Sequence, residues 1–190
     1  MNFLIVTGLS GAGKSMAVNA LEDIGFFCID NIPAGLLPRI LDFAQQGENQ
    51  LSRVAVVMDI RGLHSVQETN EALEALDEKK MPYDILFLDA SDAAIRRRYK
   101  ETRRVHPMTI SEGIPVSEAI TKERQILQPL RERAKYVIDT SLLTTAQNRE
   151  RVSSLFLQKG QCAMSINVVS FGFKYGLPQE ADLSLIHISE

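Results

Sequence analysis

Gly8-Leu9-Ser10-Gly11-Ala12-Gly13-Lys14-Ser15 follows directly on the run Phe3–Thr7, FLIVT. The octapeptide satisfies G-x-x-x-x-G-K-[ST] at every position. Phe3–Thr7 reads as a buried parallel strand and Lys14–Ile24 as a helix, so the loop has the strand–loop–helix setting that this motif needs. Its glycines let the backbone curl until successive N–H groups face phosphate oxygens. The N-terminus of the following helix adds partial positive charge. In such a loop Lys14 reaches the β- and γ-phosphates, and the Ser15 hydroxyl holds Mg²⁺.

Working outward, short apolar runs alternate with amphipathic ones. Strands are expected at Phe3–Thr7, Phe26–Ile29, Val54–Met58, Ile85–Asp89 and Tyr136–Asp139. Helices are expected at Gly35–Gln46, Ser65–Glu78, Asp92–Thr102, Val116–Ala134 and Thr145–Leu157. This alternation predicts an α/β fold: a doubly wound, mostly parallel sheet with right-handed crossovers, of the P-loop kinase-like kind. Ligands of such a sheet bind at the carboxyl ends of the strands. Gly8, Asp30, Asp59 and Asp89 are therefore expected on one rim.

A carboxylate ending a strand beside the loop is where an acid that organises Mg²⁺ belongs. Asp59, after Val54–Met58, is the stronger candidate, and Asp30 is its rival; each also suits a helix cap. Asp89 and Asp92 flank a helix start, where capping is expected. Arg96–Lys100 reads equally well as a solvated helix face, with Arg96 and Lys100, and Arg97 and Glu101, sharing faces. Arg103 and Arg104 lie where that helix frays toward Pro107, in a weakly periodic stretch running to Pro115. They are expected in a lid that brings arginines to the phosphates. His106 there reads as a local hydrogen-bonding residue. Pro129 predicts a kink or break in its helix, and Glu118 and Lys122 an i, i+4 pair.

The chain has 190 residues, a formal net charge of −3 and 45% apolar residues. That charge excludes a wholly basic nucleic-acid-binding surface. Cys28 and Cys162 have neither metal-ligand nor disulfide spacing, and Cys28 reads as a buried thiol. No apolar run approaches the roughly 18 residues of a membrane span, and the opening residues carry no signal-peptide pattern, so a cytoplasmic protein is expected. Residues 1–157 form the expected P-loop domain. Residues 158–190 read as a linker and the start of a second domain, with a strand at Ala163–Val169 and a glycine–aromatic turn at Ser170–Pro178.

Several segments together resemble one family, the bacterial RapZ-like RNase adapter proteins. They are Gly8–Ser15, Asp30-Asn31-Ile32-Pro33, Asp59-Ile60-Arg61, Leu88–Asp92 with Arg103–Pro107, and Ser165–Pro178. The resemblance implies binding of ATP and GTP with weak nucleotide hydrolysis. ATP would sit on Gly8–Ser15, and a GTP element would fall on Asp59, Ile60, Arg61 and Gly62, where Gly62 replaces the family's last polar residue. It implies a small regulatory RNA and an RNase as partners of the full-length protein, engaged through a C-terminal domain. Ser184–Glu190 does not resemble the family's continuation, so the chain reads as truncated near Leu183. Weak RNA binding, and homo-oligomerisation through Ile166–Val169, are the corresponding expectations. The competing reading is a small-molecule kinase of the nucleoside or shikimate type, since Lys14, Asp59, Arg103 and Arg104 suit phosphoryl transfer as well.

Overall fold

Five strands form one sheet, all parallel, in the spatial order β2-β3-β1-β4-β5. The computed structural model of the protein describes residues 2–46, 52–63, 65–78, 82–157 and Gly172. The strands are β1 (Asn2–Gly8), β2 (Phe27–Ile29), β3 (Arg53–Val57), β4 (Tyr83–Asp89) and β5 (Tyr136–Asp139). Between and after them run α1 (Lys14–Asp23), α2 (Leu37–Gln46), α3 (Val66–Glu78), α4 (Asp92–Thr102), α5 (Pro107–Glu112), α6 (Val116–Arg133) and α7 (Thr145–Phe156).

Register explains why β1 carries the motif. It pairs with β3 on one side (Ile5 with Val56) and with β4 on the other (Ile5 with Ile85). Phe3, Leu4, Ile5 and Val6 are all buried, although alternate residues of a strand point to opposite faces, so helices cover both faces of the sheet. The buried Thr7 hydroxyl donates to Met58 O at 3.1 Å and ties the strand ends together at the rim. α1 packs on α7, and α3 on α6.

The structure departs from the sequence reading at particular elements. The helix expected from Gly35 opens as a 3-10 turn, Ala34–Leu36, before α2 begins. The weakly periodic stretch to Pro115 contains the short α5, which has Pro107 at its first turn and His106 as N-cap. α6 continues unbroken past Pro129. Ile126, Leu127 and Leu130 on both sides of the proline are buried, and that packing offsets the roughly 3 kcal/mol that an interior proline costs. Lys122 forms an ion pair with Glu112 of α5. Ser91, not Asp89 or Asp92, caps α4, accepting a hydrogen bond from Ala94 N. The two aspartates instead hold Arg124 of α6 at 2.9 Å each, and Asp89 also takes Arg131. Arg97 and Glu101 share a face as expected, 3.8 Å apart. The readings of residues 158–190, including the strand at Ala163–Val169, lie outside the described residues apart from Gly172. No helix of the described residues is long and apolar enough to cross a membrane.

Candidate functional site

Three glycines set the course of the loop. Gly8, Gly11 and Gly13 have φ of 136°, 85° and 96°, which L side chains rarely adopt. At Gly8 the constraint is also steric, because a Cβ there would lie 2.1 Å from Leu88 O of β4. The same carbonyl accepts Leu9 N–H at 3.1 Å, so the loop starts pressed against the neighbouring strand.

Five carbonyls of the loop accept hydrogen bonds, three of them from side chains outside it. Lys14 Nζ donates to Gly8 O at 2.7 Å and Leu9 O at 3.3 Å. Arg98 Nη1 of α4 donates to Gly11 O at 2.9 Å. Thr140 Oγ1, just past β5, donates to Ala12 O at 2.9 Å. Asn148 Nδ2 of α7 donates to Gly13 O at 3.3 Å. Glu123 Oε1 of α6 accepts both Ser10 N–H at 3.0 Å and Ser10 Oγ–H at 2.7 Å. With its carbonyls held this way, the loop leaves the N–H groups of Gly11, Gly13, Lys14 and Ser15 without a hydrogen bond among the described residues. Unpaired donors at a helix N-terminus are what an anion needs.

The other candidates fall around this loop at unequal distances. Asp59 Oδ1 lies 3.6 Å from Lys14 Nζ, and Asp59 Oδ2 lies 3.6 Å from Arg61 Nε. Asp59 also caps the 3-10 turn Ile60–Gly62 by accepting Ile60 N–H, so the cap and the site share one carboxylate. Asp30 is exposed at the end of β2, one strand farther from β1, and accepts Asn31 N–H. The structure therefore brings Asp59, and not Asp30, to the lysine. Ser15 stands exposed in the first turn of α1. Ile60 is buried, and a Cβ at Gly62 would meet Ile32 O and Pro33 Cα at 3.3 Å, so the β2 and β3 ends pack closely there. Arg103 is the left-handed C-cap of α4, and it and Arg104 are exposed. Among the described residues neither side chain is bonded.

Sequence reasoning missed the holders of the loop. Arg98 lies in a stretch whose sequence leaves a solvated face an open reading, and it turns inward to Gly11 and Thr140. Glu123 did leave a signal: it lies three residues after Ile120 and three before Ile126, on the apolar face of α6. Tyr99 packs beside His106 at 5.4 Å between ring centres. Burial, and then the Glu123 carboxylate, push the Tyr99 hydroxyl up to about 12.

A family model described as the RapZ-like N-terminal domain matches residues 1–160. The chain belongs to the RapZ-like family. A protein of Moorella thermoacetica called a nucleotide-binding protein is 50% identical over 184 residues, which is 95% of this chain and 60% of that one. A protein of Alkaliphilus oremlandii with the same description is 44% identical, over 96% of this chain and 63% of its own. The chain thus spans about three fifths of the length of these relatives. Among solved structures, shikimate kinase of Acinetobacter baumannii in complex with shikimate superposes with a TM-score of 0.52 at 18% identity, covering 83% of this chain and 94% of that one. YorR of Bacillus subtilis in complex with phosphorylated GDP gives 0.52 at 14% identity, covering 80% of this chain and 94% of the other. At these identities the likeness is one of fold, that of the P-loop kinases.

Proposed function

We propose that this chain binds a nucleoside triphosphate, ATP and also GTP, on Gly8–Ser15 with Mg²⁺. The observation that carries the reading is the loop whose Gly11, Ala12 and Gly13 carbonyls are held by side chains from outside while the N–H groups of Gly11, Gly13, Lys14 and Ser15 make no hydrogen bond among the described residues, with the Lys14 ammonium beside them. The residues suit a divalent ion: Ser15 offers a hydroxyl in the first turn of α1, and Asp59 a carboxylate beside Lys14. A hard cation takes such oxygen donors and would neutralise phosphate charge there. Arg61 and the stretch Asp59–Gly62 belong to the same reading as the contact for GTP. Arg103 and Arg104 serve as the phosphate clamp. Hydrolysis is weak and the nucleotide regulatory. In the whole cytoplasmic protein, nucleotide state tunes delivery of a small RNA to an RNase, as the family resemblance implies.

Lys14→Ala is expected to weaken ATP binding by about 10-fold or more, the equivalent of one charged hydrogen bond. Calorimetry with ATP and Mg²⁺ reads this directly. Equal affinity in the two proteins would remove the nucleotide from this loop. Analysis of products in the same samples separates free phosphate from a phosphorylated small molecule, the signature of the kinase reading.

A further inference from the structure

Glu123 is the only carboxylate among the described residues that is wholly buried, and His106 beside it is buried to the same degree. Burying a carboxylate costs several kcal/mol unless its oxygens are hydrogen-bonded. Both oxygens are occupied. Oε1 takes the amide and hydroxyl of Ser10, and Oε2 lies 3.0 Å from His106 Nε2. The other ring nitrogen, Nδ1, accepts Met108 N–H at 3.2 Å. That leaves the ring proton on Nε2, where it is donated to Glu123. The far side of the same loop peptide is held too: the Leu9–Ser10 amide gives its N–H to Glu123 and its C=O to Lys14. One continuous chain of hydrogen bonds therefore runs from Lys14 through the Leu9–Ser10 peptide and Glu123 to His106 and the first turn of α5.

α5 depends on this chain. It has six residues, too few to persist alone, and its Ile110 is exposed. What holds it is Met108, the Glu112–Lys122 pair and the cap made by His106. Arg103 and Arg104 lie immediately ahead of it. Glu123 itself is fixed in place, because its neighbour Arg124 clamps α6 to Asp89, Asp92 and Ala90 O.

We propose that Glu123 and His106 are positioning residues that couple the state of Lys14 and the loop to the stability of α5 and the arginines before it. This rests on the nucleotide reading for its trigger. When Lys14 swings to a phosphate it leaves Gly8 O and Leu9 O, Leu9 O keeps only the Ala12 N–H at 2.9 Å, and the change passes through the Leu9–Ser10 peptide and Glu123 to the cap of α5.

Hydrogen exchange of the amides of residues 107–113 tests this. In the wild type, ATP with Mg²⁺ is expected to change α5 exchange by about 5-fold or more. His106→Asn keeps an acceptor for Met108 N–H, since asparagine caps well, but its amide is too short to reach Glu123. Glu123→Gln places an N–H group against His106 Nε2–H and breaks the same link, should His106→Asn fail to fold. At nucleotide concentrations saturating each protein, the response of α5 should fall below 2-fold in either variant. A full response in both, or ATP bound to the wild type with α5 unmoved, overturns the coupling. A second arm needs no nucleotide. Lys14→Ala alone should alter α5 exchange, and the effect should vanish in the Lys14→Ala, His106→Asn double variant. Additive effects overturn the coupling even if ATP does not bind, whereas absent ATP binding with non-additive effects overturns only the nucleotide reading.

Discussion

Gly8 shows how one residue decides whether the site exists. Its φ of 136° and the 2.1 Å approach that a Cβ would make to Leu88 O leave no room for relief, because the atom met is backbone of a central strand. Gly8→Ala should destabilise the protein by on the order of 3 kcal/mol, combining backbone strain with a forced shift of β4. Chemical denaturation would read the loss, and Gly35→Ala, which meets nothing within 4 Å, supplies the contrast. Equal stability of the two variants would mean that the β1–β4 edge is soft. The motif residues could be read from the chain because their geometry is local: eight consecutive positions whose backbone angles are set by glycine. Their holders could not. Thr140 and Asn148 reach Ala12 and Gly13 across 128 and 135 residues, and nothing in their neighbours specifies those partners. Arg98 sits among Arg96 and Arg97 with no mark of its own, and which of three arginines turns inward depends on where α4 lies against the loop.

At the scale of elements, strands were legible because each is a short apolar run, and boundaries moved by a residue or two where pairing outlasted the apolar pattern. Asn2 pairs with Arg53, for instance, and Phe3 and Leu4 with Tyr83 and Asp84, ahead of the apolar runs of β3 and β4. α5 was not legible, since six residues give less than two turns of periodicity. Its signal lies instead in His106-Pro107, a cap followed by proline at the first helical position. α7 carries a fuller signature, the capping box between Thr144 and Gln147. The segment joining α4 to α5 is exposed from Arg103 to Val105 and turns through a left-handed residue at Arg103. Trypsin should cut there in the free protein, and ATP with Mg²⁺ should slow that cut by about 5-fold or more if the arginines close on phosphate. Mass spectrometry of the fragments distinguishes this site from other lysines and arginines. An unchanged rate at saturating nucleotide would leave the two arginines as surface residues.

Across the whole molecule, the alternation of apolar and amphipathic runs made a parallel α/β sheet legible as a class, but not the order β2-β3-β1-β4-β5, since the same rules allow other orders. What closes the amino end of the sheet was not legible either. Arg53, the first residue of β3, is buried. It donates Nη1 to Ile24 O at the end of α1 and Nη2 to Phe156 O at the end of α7, with its guanidinium 4.1 Å from the centre of the Phe26 ring. One cation therefore caps two helix C-termini, satisfying carbonyls that the helices leave open and meeting the negative end of both dipoles. α1 begins at the phosphate loop and α7 carries Asn148, so the same side chain braces from below the two helices that grip the loop from above. Arg53→Ala should cost about 2–4 kcal/mol and lower Tm by about 5–15 °C, since it leaves both carbonyls and an aromatic face without their partner. Arg53→Lys should recover only part of the loss, because an ammonium lacks the planar fork that reaches two diverging carbonyls. Scanning calorimetry of the two variants, with Arg97→Ala as an exposed control, measures this. A Tm for Arg53→Ala equal to that of the control would show that α1 and α7 hold their places through apolar packing alone.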